Sequence, residues 1–248
     1  MESIDRSPED GTPALAWEIN MKISGLVLIP LVVFSMAVVA AAEGELVMRI
    51  RPLEMSEWSP EILKKLSGMA RASSTVVEGD QKAQGWNENT ALPSMLKTVA
   101  HHPDLMDPFL DFSAVIAQRG ALSRRDSELL ALRAAWNCQS EFEWGHHLEY
   151  ALEAGFSREE IARIPVGPRA EGWSSSERAL LEAADELHER QRVSDEVWSK
   201  LSAVYSDKQL VEILFVVGQY TMLSMFVNSS GVELEPGYEP LPAMPPAR

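Results

Sequence analysis

The chain has 248 residues and a formal net charge of -15 at pH 7, and 46% of its residues are hydrophobic. This length and composition are typical of a globular protein with a real core, arranged as one large domain or two small ones. The acidity argues against a nucleic-acid-binding protein, because phosphate neutralisation needs clustered Lys and Arg and the sequence has no basic stripe. The single cysteine, Cys138, excludes an intrachain disulfide and a Cys-based zinc ribbon.

Two segments precede the predicted helical core. Residues 1–20 form a polar leader, which we interpret as the product of a start codon placed too far upstream. Residues 21–42 have a short positively charged start at Lys22, continue as an uncharged apolar run and end in small residues, which is the pattern of a signal peptide. The run is also long enough for an inner-membrane anchor over residues 23–42. We expect an exported protein, periplasmic or secreted, that touches the membrane only through this segment if it is not cleaved.

Residues 43–90 are predicted to be an N-terminal extension with one short helix. Ser59 suits the N-cap of a helix over residues 60–69, since proline is favoured at the first helical position. The polar stretch over residues 73–90 has no apolar period and predicts a loop.

The main domain is predicted over residues 91–235, where the pattern is continuously helical. The predicted helices are 92–100, 105–118, one after Ser123, one from Glu141 to Gly155, one after Ser157, 176–191, one after Ser194 and one from Ser206 to Gly231. No strand pattern, Walker loop or G-x-S-x-G motif is present, so the fold class is all-α. The last helix is apolar nearly all round, which predicts a buried element or a subunit interface. Residues 236–248 are rich in proline and predict an extended or disordered tail.

The chemically informative stretch runs from Ser123 to Gly155 and contains Cys138 and the pair His146-His147. Glu143 and His147 are four residues apart on one predicted helix, so their side chains can meet. Glu128 lies near the start of the preceding helix and can reach the same place if the two helices pack as an antiparallel hairpin. The pattern predicts a cluster of two carboxylates and an imidazole.

An imidazole beside a carboxylate is suited to proton transfer next to a carbonyl group. We assign His147 as general base or acid, Glu143 as the residue that orients it, and Glu128 or His146 as the carrier of the second proton. Burial between helices raises the pKa of a carboxylate toward a useful range. A glutamate and a histidine at this spacing also occur by chance on exposed helices.

The stretch ELLALRAAWNCQSEFEWGHHLEYALEAG and its surroundings resemble the carboxymuconolactone decarboxylase and alkylhydroperoxidase D (AhpD-like) superfamily. The resemblance covers about residues 92–237 and implies a bundle of six or seven helices that forms homo-oligomers, often trimers or hexamers. The thiol-peroxidase branch carries a glutamate, a C-x-x-C pair beginning twelve residues later, and a histidine four residues after the second cysteine. These positions are Glu128, Ser140, Glu143 and His147 here, so both cysteines are replaced.

Three functions remain open from the sequence. The first is an acid–base decarboxylase, lyase or isomerase that acts on a small carbonyl or lactone acid. The second is an AhpD-like peroxidase in which Cys138 attacks peroxide and an external thiol completes the cycle. The third is a non-enzymatic helical oligomer that binds a small hydrophobic ligand.

A metal site is a further interpretation with less support. Glu143, His146 and His147 are ligand types, and His188 on another helix could join them. Adjacent histidines on a helix point about 100° apart, however, and no H-E-x-x-H motif is present. We therefore predict neither a metal nor a cofactor, with a small molecule as the substrate.

Overall fold

The computed structural model describes residues 47–62 and 93–243. The predicted leader, the signal or anchor segment, most of the 60–69 helix and the 73–90 loop lie outside these residues and stay predictions. Every regular element within the described residues is helical, which confirms the all-α fold class. The helices are α1 (Ser94–Val99), α2 (Pro103–Gln118), α3 (Arg124–Asn137), α4 (Glu141–Glu153), α5 (Arg158–Ile161), α6 (Ser175–Arg190), α7 (Asp195–Ser202) and α8 (Asp207–Ser230), with 3-10 turns at Met55–Glu57 and Gly167–Arg169.

Local capping explains where these helices begin. The hydroxyl of Ser123 accepts a hydrogen bond from the third residue of α3, and Ser157 forms the predicted capping box of α5. α6 begins at Ser175, one residue earlier than predicted, because Ser174 and Glu177 form its capping box. α2 begins at Pro103, two residues earlier than predicted, because proline fits the first position of a helix.

Helix α3 is the centre of the bundle. It packs against α4, α6 and α8, and every side chain over residues 127–136 is buried. The buried residues include two charged ones, Glu128 and Arg133. Arg133 donates to both carboxylate oxygens of Asp185 on α6, at 2.6 and 2.8 Å, and to the carbonyl oxygen of Ile164. Because a buried charge has to be paired, these contacts tie α3 to α6 and to the chain after α5.

Helices α3 and α4 form the predicted hairpin, with three connecting residues, 138–140. Gln139 has a φ of 50°, a left-handed conformation that reverses the chain within a short turn. Its side-chain amide donates to the carbonyl oxygen of Trp136 at 2.6 Å. Trp136 and Trp144 then pack edge to face, with ring centres 6.1 Å apart, and fill the closed end of the hairpin.

The segments before α1 and after α8 pack against the bundle. Gly231 ends α8 with a φ of 75°, and the backbone of Val47 comes so close that a Cβ at this glycine would clash with it. Beyond α8, Leu234 lies so close to Gly145 that a Cβ on Gly145 would be 2.6 Å from a Leu234 methyl carbon. The absence of a side chain at Gly145 therefore lets the C-terminal segment lie directly on α4.

Within the described part of the chain, α8 is the one helix long and apolar enough to cross a membrane by length and composition. It contacts α2, α3, α4, α6 and α7, and 56% of its most apolar 18-residue window is buried inside the protein. The remaining face exposes the large apolar side chains Val211, Phe215, Met222 and Met225. The helix therefore has one face in the core and one apolar face outside it.

Candidate active site

A cavity of about 200 Å³ lies among α1, α2, α4 and α8. Most of its wall is apolar, formed by Met95, Leu96, Phe109, Leu110, Phe142 and Leu223. Three of the predicted site residues also line it, namely Glu143, His146 and His147. A mostly apolar cavity into which a few polar groups converge is the usual form of a small-molecule site.

His147 is held by Glu128 across the hairpin. The Nδ1 atom of His147 lies 2.6 Å from Oε2 of Glu128, and the two residues are 6% and 1% exposed. Because an ionised carboxylate only accepts hydrogen bonds, a neutral imidazole facing it carries its hydrogen on Nδ1 and a lone pair on Nε2. Glu128 lies behind the imidazole and does not line the cavity.

Glu143 lies on the other side of the imidazole, at the cavity wall. Its Oε2 is 3.6 Å from Nε2 of His147, which is longer than a hydrogen bond. Its Oε1 is buried and finds no hydrogen-bond partner among residues 47–62 and 93–243. Burial raises the pKa of Glu143 above its usual value, against the opposing effect of the two neighbouring histidines. We call Glu128, His147 and Glu143 the acid–histidine cluster.

The structure thus brings together the three residues that the sequence placed in one cluster, but in a different arrangement. We expected Glu143 to orient the imidazole from its position four residues away. Instead Glu128 makes the short contact, at 2.6 Å, and Glu143 stands 3.6 Å away beside the cavity. The packing of α3 against α4 places Glu128 closer to the ring than the helical spacing places Glu143.

Three residues that the sequence analysis did not single out complete the surroundings of His147. Tyr220 and Tyr150 pack edge-on against the imidazole, with ring centres 4.3 and 5.5 Å away. Burial and then the nearby carboxylates raise the pKa of Tyr220, so its hydroxyl keeps its proton and stays a donor. The Nη2 of Arg124 lies 2.9 Å from Oε1 of Glu128, close enough for charge attraction but without the alignment of a hydrogen bond.

His146 lines the same cavity, but its ring is engaged by the C-terminal segment. Its Nε2 lies 2.8 Å from Oε2 of Glu235, and the ring stacks against Phe142 and Tyr238. Burial alone would raise the pKa of Glu235, but hydrogen bonds from His146 and from the Ser94 backbone N–H outweigh it and lower that pKa to about 2. In this arrangement His146 ties the C-terminal segment to α4.

Cys138 lies at the end of α3, outside the cavity. Its Sγ is 3.8 Å from Nδ1 of His188. Burial raises the pKa of the thiol, against the opposing hydrogen bonds with Thr221 and Ser224. Because the thiolate is the nucleophilic form of cysteine, this environment lowers reactivity. The structure therefore separates Cys138 from the acid–histidine cluster.

The four residues considered as metal ligands do not meet at one point; they are Glu143, His146, His147 and His188. His188 lies beside Cys138, and His146 contacts Glu235. In the part of the chain that the structure describes, no group of three or more His, Cys, Asp or Glu side chains is arranged to hold a metal ion.

Several solved structures share this fold. A protein of unknown function from Agrobacterium tumefaciens, described as a putative antioxidant defence protein AhpD, is 19% identical with a TM-score of 0.52, over 55% of this chain and 94% of its own. A cysteine-to-alanine variant of the debrominase Bmp8, in complex with 2,3,4-tribromopyrrole, is 16% identical with a TM-score of 0.59, over 75% and 91%. An uncharacterised peroxidase-related protein with an AhpD core from Ralstonia eutropha JMP134 is 13% identical with a TM-score of 0.60, over 76% and 92%. At these identities the likeness shows the fold.

The sequence comparison matches part of the helical domain to a family. No curated protein matches the chain significantly. The sequence model of the Carboxymuconolactone decarboxylase family matches residues 103–186, which run from the start of α2 into α6 and contain the acid–histidine cluster. This match supports the carboxymuconolactone decarboxylase and AhpD-like superfamily for the helices that it covers, and the solved structures show that the fold is AhpD-like.

Proposed function

We propose that the protein is an acid–base enzyme, a decarboxylase, lyase or isomerase, that transfers a proton at a carbon next to the carbonyl of a small carbonyl or lactone acid. The observation that carries this proposal is the acid–histidine cluster at the wall of an apolar cavity. His147 supplies a lone pair, Glu128 fixes its ring, and Glu143 supplies a carboxyl group that burial favours in the protonated form. A base and an acid thus stand side by side.

The surroundings of the two carboxyl groups differ. Glu128 faces the ring N–H of His147 and the guanidinium of Arg124. Glu143 has no comparable donor on Oε1 among the described residues, and burial favours its neutral form. A carboxyl group that its surroundings keep neutral is a recurring proton donor in acid–base catalysis.

Tyr220 supports the proposal as a stabiliser of developing charge. Proton removal next to a carbonyl creates an enolate, whose oxygen needs a hydrogen-bond donor in a site of low polarity. Tyr220 lines the cavity against His147 and keeps its phenolic proton because its pKa is raised. We assign it as the donor to the substrate oxygen.

The thiol-peroxidase alternative has less support. The fold relatives described as AhpD-like or peroxidase-related proteins make it reasonable to consider. In this chain, however, the positions that match the C-x-x-C pair hold Ser140 and Glu143, and Cys138 lies outside the cavity with a raised thiol pKa. Fold alone does not select between these chemistries.

The first prediction concerns Glu143→Gln, which keeps the size of the side chain and removes its transferable proton. We expect it to reduce turnover by about 10²–10⁴-fold, the usual contribution of a positioned acid or base. The assay is mass spectrometry of β-keto and lactone acids incubated with the protein in D₂O, which detects deuterium uptake and loss of CO₂.

Glu141→Gln is the matched control, because Glu141 lies on the same helix but is exposed. We expect Glu141→Gln and Cys138→Ser to retain wild-type turnover. Activity that survives Glu143→Gln but is lost in Cys138→Ser would contradict the proposal and favour thiol chemistry.

The second prediction concerns stability and pH. Because the pKa of Glu143 is raised in the folded protein, the folded state binds a proton that the unfolded state releases above about pH 4.3. Stability from this group is therefore complete at acidic pH and falls as the pH rises through the folded-state pKa. We expect Glu143→Gln to remove this fall, so that its melting temperature relative to wild type rises with pH above 4.3. Parallel melting curves for the two proteins from pH 4 to 9 would contradict the burial argument.

The third prediction concerns the reactivity of Cys138. With its thiol pKa raised by burial, we expect alkylation by iodoacetamide at pH 7.5 to be slower than in the unfolded chain, because a raised pKa leaves less of the thiol in the reactive thiolate form. Intact-mass spectrometry with and without guanidinium measures both rates. Equal rates, together with rapid peroxide turnover in the presence of a dithiol, would support the peroxidase alternative instead.

The fourth prediction concerns assembly, which we propose is a homo-oligomer formed through α8. Its exposed residues Val211, Phe215, Met222 and Met225, with Gly218 between them, follow the alternating spacing of four and three residues that helices use to pack on one another. Such a face is self-complementary in a symmetric assembly, and Gly218 permits close approach. We expect Phe215→Glu to reduce the mass measured by light scattering to that of a monomer.

Val204→Glu is the control for that experiment, because Val204 is similarly exposed but lies before α8. It is expected to leave the mass unchanged. A monomeric wild-type protein, or an assembly unaffected by Phe215→Glu, would contradict the proposed interface.

A further inference from the structure

Gln219 is a polar residue on the inner, otherwise apolar face of α8. Its neighbours on this face are Val216, Leu223 and Val227, all buried. Gln219 itself is only 4% exposed. An amide in such surroundings loses its hydration, so each of its polar atoms needs a partner inside the protein.

Only one of the two amide atoms of Gln219 has such a partner in the described part of the chain. The Nε2 atom donates a hydrogen bond of 2.9 Å to the hydroxyl of Ser113 on α2. The Oε1 atom is buried and has no hydrogen-bond partner among residues 47–62 and 93–243. With Nε2 placed on Ser113, Oε1 is left as a free acceptor.

Gln219 and Ser113 line the same cavity as Glu143 and His147. The side chain that carries this acceptor is therefore part of the wall of the site proposed for the substrate, yet it has no place in the proton transfer described above. An acceptor kept unpaired in an apolar cavity stabilises a ligand that brings a donor and disfavours one that does not.

We propose that Gln219, held by Ser113, determines specificity by accepting a hydrogen bond from an O–H or N–H group of the substrate. The substrate is then a small, mostly apolar molecule that carries this donor in addition to the carbonyl group at which the proton is moved. This inference rests on the proposed function of the cavity. It concerns binding, so it can be tested without turnover.

The probes for the test are 4-fluorophenol and 4-fluorotoluene, which have nearly the same shape and differ in a hydroxyl or a methyl group. Fluorine NMR titrations give the dissociation constant of each probe. For the wild-type protein we expect 4-fluorophenol to bind about fivefold more tightly, the usual effect of one neutral hydrogen bond. In Gln219→Met, which has a similar size but no amide, we expect this preference to disappear while 4-fluorotoluene binds as before.

Two further variants separate this inference from the proposed function. Leu223→Met alters the cavity wall without adding or removing a polar group, and we expect it to keep the preference. Glu143→Gln is expected to abolish turnover in the D₂O assay and also to keep the preference. If Glu143→Gln removes the preference and Gln219→Met does not, the hydroxyl is recognised by the acid–histidine cluster, and the inference about Gln219 is overturned while the proposed function stands.

The stability of a double variant provides an independent readout. Gln219→Met alone removes the unpaired acceptor but also the hydrogen bond to Ser113, whereas Gln219→Met combined with Ser113→Ala replaces both partners of that bond by apolar groups. Because replacing both partners is neutral or stabilising, we expect the double variant to melt at or above the temperature of the wild-type protein and to lose the discrimination between the probes. A clear decrease in the melting temperature of the double variant, or a wild-type protein that binds neither probe or both equally, would overturn the inference.

Discussion

The burial of α3 beyond its first turn is the constraint on which the rest of the structure depends. Over residues 127–136 the helix is enclosed by α4, α6 and α8, so Glu128 and Arg133 have to be paired inside the protein. Asp185 pairs with Arg133, and His147 pairs with Glu128. Removing one partner of a buried pair typically costs about 3–5 kcal/mol. The two pairs therefore fix how α6 and α4 lie against the central helix.

The two buried charges have different consequences. Both oxygens of Asp185 accept aligned hydrogen bonds from Arg133, so this pair is complete and its role is to hold two helices together. Around Glu128 the balance is different, because a second carboxyl group, Glu143, stands on the far side of the same imidazole at the wall of an apolar cavity. Burial without a full set of donors raises the pKa of that second group. In the proposed function, pairing Glu128 orients the base, and leaving Glu143 unpaired provides the acid.

The sequence predicted the features that local signals determine. The all-α fold and the α3–α4 hairpin follow from caps and helical spacing, which act within a few residues, and the packing of that hairpin brings Glu128 to His147. The sequence did not predict that Glu235 and Tyr238 would contact His146, because nothing local indicates where an irregular C-terminal segment will pack.

Tyr220 and Gln219 could be recognised only as members of an apolar helix, since their contact with the cavity depends on how α8 meets α2 and α4. Arg124, four residues before Glu128, and Tyr150, three residues after His147, were the neighbours that helical spacing could have revealed.

The replacement of the two cysteine positions bears directly on the chemistry. In the thiol-peroxidase motif that the sequence resembles, a glutamate and a histidine accompany a pair of cysteines. Here Glu128 and His147 match the glutamate and the histidine, and Ser140 and Glu143 replace the two cysteines. A thiol pair exchanges electrons by forming a disulfide, whereas a carboxyl group exchanges only protons. A carboxylate-held imidazole serves either chemistry, because both require a proton to move. In the proposed acid–base reaction, the decisive difference from the thiol motif therefore lies at the first turn of α4, where a buried carboxyl group stands beside Nε2 of His147.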